Sequence, residues 1–212
     1  MDPHEYTDDN IVALSLLEAM RSRVDMYFPP GETSRSNQMV MEALCESLHE
    51  IHCGHCDRVD VWLEGSRAII EDNSRGFPTE LDSEGIPRVQ RHFTVLYTCR
   101  DAKLDDEVGE KLCIMGVIAT NFMSRRLAVE MVRNGRLWKG EFKDGEISSP
   151  FEDLGPDERK FCRIEFDVEI DLIPDPFDPV ALRTWLDSLQ PDIDTSVVTI
   201  RNGGGSTPVD GA

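Results

Sequence analysis

The stretch from Glu42 to Pro78 constrains the fold of this 212-residue chain more than any other part of it. Glu42, Cys45, Glu46 and His49 recur at i, i+3, i+4 and i+7, so they share one face of a helix. That helix is expected to open at Ser34 or Ser36, whose hydroxyls can cap N–H groups, and to run to about His52, with Gly54 ending it. Val59, Val61 and Leu63 then alternate as strand residues do, Gly65-Ser66 supplies a turn, and Ala68 to Glu71 is a second strand that delivers Asp72 to its end. A helix feeding a strand pair buries its apolar surface against the sheet, which calls for a layered α/β architecture.

The rest of the chain extends that pattern. Asp9-Asn10 can cap a helix carrying Ile11, Leu14, Leu17 and Met20, and Pro29-Pro30-Gly31 forces a loop. Pro87 is placed to start a helix through Tyr97, a charged loop follows from Arg100 to Glu110, and Leu112 to Met123 reads as a buried helix. Asn134-Gly135, set between Leu127, Val129 and Met131 and the run from Leu137 to Phe142, is the strongest hairpin signal. Cys162, Ile164, Phe166, Val168 and Ile170 alternate as a strand, Pro179 opens a helix with Leu182, Trp185, Leu186 and Leu189, and Val197 to Ile200 is a last short strand. The fold class read from this order is α+β, a two-layer α/β sandwich with helices covering one face of a mixed sheet. It forms a single domain over residues 1–201, and the Gly/Ser/Pro tail over 202–212 is expected to be disordered.

No apolar run approaches the ~18 residues of a membrane span. The start, Met1-Asp2-Pro3-His4-Glu5, lacks the basic then apolar order of a secretory signal, so a cytoplasmic protein without a membrane partner is expected. The 6 cysteines are scattered through helices and strands and read as reduced thiols. Cys45, His49, His52, Cys53, His55 and Cys56 crowd together, and Cys45/His49 and His49/Cys53 have i,i+4 spacing that can share a metal. No C-x₂-C pair repeats at finger spacing, and buried thiols in a helix are the commoner arrangement. A formal net charge of −19 repels phosphate backbones and argues against direct nucleic-acid binding.

Several segments, taken in order, carry a resemblance. They are Leu17-Glu18-Ala19-Met20-Arg21-Ser22-Arg23 with Met26-Tyr27, Cys56-Asp57-Arg58-Val59-Asp60-Val61, Asp72-Asn73-Ser74-Arg75-Gly76-Phe77-Pro78, Thr94-Val95-Leu96, and the closing helix from Leu182 to Leu189. With them the chain resembles the N-terminal ATPase domain of the gyrase B and topoisomerase IV subunits, members of the GHKL superfamily. The resemblance implies the GHKL sandwich, with a nucleotide held between the helical layer and the sheet. It implies that Glu42 stands where the family has the general base, a carboxylate within hydrogen-bond reach of the attacking water. A solvated polar stripe on the helix is the alternative. Asp72, beside Asn73, matches the aspartate that accepts from the adenine amino group, against the plainer reading of a turn residue. Glu50 and Arg75 match a charged pair at the pocket mouth, against a simple surface ion pair. Cys162 replaces a threonine that assists adenine recognition, a weak donor for a good one.

The chain also departs from the family. Glu46 replaces the asparagine that holds Mg²⁺, so Glu46 is the metal ligand if Mg²⁺ is bound, at the cost of a negative charge beside the triphosphate. The phosphate loop keeps Gly116 but reads Lys111-Leu112-Cys113-Ile114-Met115-Gly116 where the family is glycine-rich. Lys103 and Lys111 could contact an anion or be plain surface lysines. ATP and Mg²⁺ are therefore disfavoured as cofactors. The resemblance ends where the family's second subdomain begins, and a stand-alone module is expected.

Three functions follow. The first is a gyrase B-like domain with a degenerate ATP site that binds a small ligand in a regulatory, sequestering or resistance role. The second is a repurposed enzyme using Glu42, Glu46 and His49 with Asp72 as acid–base groups on a non-nucleotide substrate, since neighbouring carboxylates push one another's pKa values apart. The third is an acidic regulator that contacts gyrase, or residual ATP turnover. A homodimer is an open possibility, and the first reading is favoured because the loop substitutions remove one function while nothing visible installs another.

Overall fold

A computed structural model of the chain describes residues 13–31, 33–96 and 115–203. Helix α1 (Leu16–Arg21) starts at Ser15, which forms a capping box with Glu18. The start expected at Asp9-Asn10 lies outside the described residues, and Ala13 and Leu14 are not helical. The serine–glutamate pair three residues apart is the stronger local start signal. A single turn, α2 (Val24–Tyr27), leads to α3 (Arg35–His52), whose N-cap Ser34 accepts the backbone N–H of Asn37. Ser36 instead donates to the Asp175 carbonyl at 2.5 Å, tying the start of α3 to the far end of the chain.

Two strands follow, β1 (Val59–Glu64) and β2 (Arg67–Asp72). Next come α4 (Arg88–Thr94) and α5 (Val117–Phe122), both shorter than expected. α4 stops at Thr94 because Val95 is extended, and Met115 and Gly116 are not helical. The remaining strands are β3 (Ser124–Arg133), β4 (Arg136–Lys143), β5 (Glu146–Pro156), β6 (Cys162–Val168) and β7 (Val198–Asn202). Helix α6 (Pro179–Ser188) precedes β7, capped by Asp178 and opened by Pro179 as expected. The last strand begins at Val198, after a 3₁₀ turn over Thr195–Val197.

These strands make one seven-stranded sheet in the order β5-β4-β3-β6-β2-β1-β7. Every neighbouring pair is antiparallel except β1 with β7, which makes the sheet mixed. β5 was not expected. Among its residues only Phe151 is buried, so no apolar alternation announces it.

Val59, Val61 and Leu63, with Ala68, Ile70, Leu127, Val129, Met131, Ile164 and Phe166, face one side and pack with Leu44, Leu48, Ile118 and Leu182 from the helices in a single core. The other face of the sheet is charged. Arg67 pairs there with Glu165 at 2.8 Å, Arg126 with Glu141 at 2.6 Å, and Lys139 with Glu130 at 2.7 Å. The α+β sandwich read from the sequence is the fold observed, and α3 lies over the end of β2 where the candidate site forms.

Candidate functional site

The site is built by three elements that meet at one end of the sheet. α3 presents Glu46, Ser47 and Glu50; β2 ends at Asp72; and β6 begins at Cys162, the direct cross-strand partner of Asp72. Ser74, Gly76 and Phe77 from the following loop, with Ile164, complete a cavity of about 10 Å³, room for roughly one water. Sequence reasoning thus found Glu46, Glu50, Asp72 and Cys162 and missed Ser47, Ser74, Gly76, Phe77 and Ile164 as site residues. Ser47 could have been found from helix spacing, since it lies three residues before Glu50.

Asp72 is the centre of this arrangement and is 3 % exposed. Its Oδ2 accepts the Ser47 hydroxyl at 2.5 Å, and its Oδ1 accepts the Ser74 backbone N–H at 2.9 Å. Burial pushes the Asp72 carboxyl above the usual carboxylate range, Ser47 and Ser74 pull it back, and the nearby Glu50 charge pushes it up further. The adjacent Cys56 thiol is pushed up to about 11, by burial first and then by Asp72.

Glu50 and Arg75 form a two-point ion pair, with Arg75 Nε on Oε2 and Nη2 on Oε1, both at 2.8 Å. Glu50 is buried while the Arg75 side chain is half exposed, so the pair closes the cavity toward solvent. Arg133 steadies this wall by donating from Nη1 to the Arg75 and Gly76 carbonyls at 3.2 Å each. Gly76 sits at φ +67°, a conformation that favours glycine, and a Cβ there would lie 3.1 Å from the Met131 sulfur, so that Met131 would have to shift.

Glu42 sits one turn before Glu46 on α3 but does not line this cavity. Its Oε2 accepts the backbone N–H of Gly116 at 2.7 Å and that of Met115 at 3.2 Å. Gly116 is the residue before α5 and has φ +84°, the left-handed region that favours glycine. His49 Nε2 lies 3.4 Å from Cys53 Sγ, again outside the cavity. Asn73 turns away as well: its Oδ1 accepts the N–H groups of Asp57 and Arg58 at 3.1 Å each, and its Nδ2 donates to Asp57 Oδ1 at 2.6 Å. It braces the turn before β1. Lys103 and Lys111 lie outside the described residues.

Among the described residues, no three His, Cys, Asp or Glu side chains are grouped to hold a metal ion. Cys45, Cys53, Cys56 and Cys162 are thiols, not disulfides. The N–H groups at 115 and 116, donors of the kind a phosphate would need, are held by the Glu42 carboxylate. No described helix is long and apolar enough to cross a membrane.

No family model matches the chain. It is 33% identical over 183 residues to the B subunit of DNA gyrase from Campylobacter jejuni, covering 78% of this chain and 23% of that protein. It is likewise 33% identical over 144 residues to the B subunit of DNA topoisomerase 4 from Staphylococcus aureus, covering 67% of this chain and 22% of that protein. The chain thus spans less than a quarter of the length of these relatives. Among solved structures, the 43K ATPase domain of Thermus thermophilus gyrase B, in complex with an aminocoumarin, superposes with a TM-score of 0.68 at 24% identity. That match covers 88% of this chain and 48% of the Thermus chain.

Proposed function

The chain is a homologue of the DNA gyrase B and topoisomerase IV B subunits with the fold of the gyrase B ATPase domain, and from that premise we propose that it binds a small ligand without turning over ATP. The ligand occupies the pocket at Asp72 and carries no polyphosphate. One observation carries this reading. The Glu42 carboxylate satisfies the N–H groups of Met115 and Gly116, which the resemblance assigns to the phosphate loop, so an internal anion holds the donors that a phosphate needs.

The charge balance around the pocket agrees. Glu46, Glu50 and Asp72 line the cavity, and the nearby Arg75 guanidinium is committed to Glu50. A polyanion is disfavoured there, whereas a neutral or cationic planar group is not. Entry of such a group needs side chains at the mouth to move, and Glu46 is the cavity side chain that is only partly buried. The Thermus relative is solved with an aminocoumarin, and sequestering a molecule of that class is the role that best joins the fold to a pocket without ATP turnover.

Calorimetric titration with adenosine, ATP·Mg²⁺ and an aminocoumarin tests the reading, run beside a phosphate-release assay. The expected result is binding of adenosine or the aminocoumarin, ATP·Mg²⁺ no tighter than adenosine, and no phosphate release. Tight ATP·Mg²⁺ binding with sustained turnover contradicts it.

A further inference from the structure

The turn between α3 and β1 carries two thiols that the ligand-binding reading does not use. They stand in the run Cys53-Gly54-His55-Cys56, a C-x-x-C spacing. α3 ends there with the Gly54 N–H on the Ile51 carbonyl and the His55 N–H on the Glu50 carbonyl, the pair of bonds that closes a helix over a glycine. On either side of that closure the two cysteines have opposite surroundings. Cys53 is exposed and Cys56 is buried. Cys53 Sγ lies 3.4 Å from Nε2 of His49, one turn back on the same helix. Burial first, and then Asp72, push the Cys56 thiol up to about 11.

We propose that Cys53 and Cys56 form a redox-active dithiol, in which Cys53 is the nucleophile, His49 its general base and Cys56 the resolving thiol. The co-reactant is a low-molecular-weight disulfide, RSSR. His49 takes the Cys53 proton as the Cys53 sulfur attacks one sulfur of RSSR. The S–S bond of RSSR breaks, and the departing thiolate takes that proton from His49 and leaves as RSH. Cys56 then attacks the Cys53 sulfur of the mixed disulfide, and the second R group leaves as RSH with the Cys56 proton. Two electrons pass from the protein to RSSR, and excess RSH runs the same steps backward. The inference does not depend on which ligand the pocket at Asp72 takes.

Accessibility sets the order of the two thiols. A disulfide arriving from solvent meets Cys53 first, whereas the buried and raised thiol of Cys56 stays unreactive until a sulfur is delivered beside it. In the tautomer that carries its proton on Nδ1, His49 offers Nε2 as the acceptor. The imidazolium it becomes lies in the last turn of α3, where the helix dipole favours a cation. Arg75 is also near: after its bond to Glu50, Cys53 adds to what holds its guanidinium protonated, so a second cation faces the charge developing on sulfur. Closure requires Cys56 Sγ to leave the Arg58 carbonyl, to which it donates at 3.5 Å, a weak bond for a thiol. Nothing lies within 4 Å of the place a Gly54 side chain would take, so the turn has room to carry Cys56 outward.

The test incubates the full chain with oxidised and reduced glutathione over a range of ratios, quenches with acid, alkylates the remaining thiols and maps the cysteines by mass. The expected result is a Cys53–Cys56 disulfide that forms with oxidised glutathione and is reversed by the reduced form. Cys56→Ser should stop at glutathione on Cys53, and Cys53→Ser should leave Cys56 unmodified. His49→Gln should slow the first step roughly tenfold, a smaller factor than a general base gives a hydroxyl because a thiol needs less activation. A lasting glutathione adduct on wild-type Cys53, a bond from Cys53 to a different cysteine, or modification of Cys56 in Cys53→Ser overturns the dithiol. An unchanged rate in His49→Gln overturns the role of the base. Should Cys56→Ser not fold, Cys56→Ala traps the same adduct. Should His49→Gln not fold, the rate at Cys53 in the urea-unfolded chain supplies the unassisted value, and a folded rate no faster than that contradicts the proposal.

Discussion

The Glu42 carboxylate accepts the backbone N–H of Gly116 at 2.7 Å, joining α3 to the start of α5 across 74 residues of chain. A residue placed by resemblance as a general base is here a structural acceptor for two buried N–H groups. Glu42→Ala leaves both donors unsatisfied and is expected to cost about 2 kcal/mol or more. Glu42→Gln keeps an acceptor oxygen and should cost about 1 kcal/mol. Urea denaturation of the two variants checks this, and equal losses would show that the bonds contribute little. A loss of function in Glu42→Ala therefore does not by itself identify a base.

Asp72 gives stability an unusual pH dependence for a carboxylate. Its folded pKa is raised above the ordinary aspartate value of 3.8, so the folded state binds the proton more tightly than the unfolded chain does. Its contribution is fully present below the unfolded pKa and is lost as pH rises through the folded one. Asp72→Asn, which keeps the shape and can still bond Ser47 and Ser74, removes that dependence. Denaturation midpoints for the two proteins should therefore diverge upward from about pH 4, with wild type losing ground relative to the variant. Wild type gaining ground over that span would contradict the assignment.

The Glu50–Arg75 pair is buried on the carboxylate side only. Arg75→Ala strands Glu50 inside the site, and with solvent screening of the half-exposed guanidinium the loss should be about 1–2 kcal/mol. Glu50→Gln added to Arg75→Ala removes the stranded charge and should recover part of it. A double-mutant cycle in urea measures the coupling, and strictly additive losses would show that the pair does not act as a unit.

The thiols should separate by accessibility. Cys53 is exposed, whereas Cys45, Cys56 and Cys162 are buried and Cys56 is pushed up to about 11. Brief alkylation at pH 8 with peptide mapping should label Cys53 well ahead of those three. Comparable labelling of Cys56 would mean that the turn between α3 and β1 opens readily.

Much of this architecture was legible because it depends on local signals. The Glu42, Glu46 and His49 spacing gave the α3 face, Asn134-Gly135 gave the β3–β4 hairpin, and alternation from Cys162 gave β6. β5 was not legible because an edge strand with only Phe151 buried carries no apolar period. Resemblance led to Asp72 and Cys162, and the sheet register explains why they meet, being direct partners on β2 and β6. The Ser47 bond to Asp72 and the Glu42 bond to Gly116 span 25 and 74 residues, and no local pattern encodes such contacts. Asn73 shows the converse, since it lies beside Asp72 in the motif yet its amide bonds to Asp57 and Arg58 in the turn before β1.

The most direct test of the central claim is the affinity of ATP·Mg²⁺ for wild type and for Glu46→Asn, measured side by side by calorimetry. Glu46 lines the cavity with Asp72 and Glu50, and removing its charge should relieve repulsion of a polyanion. The account predicts weak binding to wild type and a gain of roughly tenfold in Glu46→Asn, as expected for about 1.4 kcal/mol of relieved repulsion at a partly exposed site. Tight binding to wild type that weakens in Glu46→Asn would make Glu46 a working metal ligand and contradict the account.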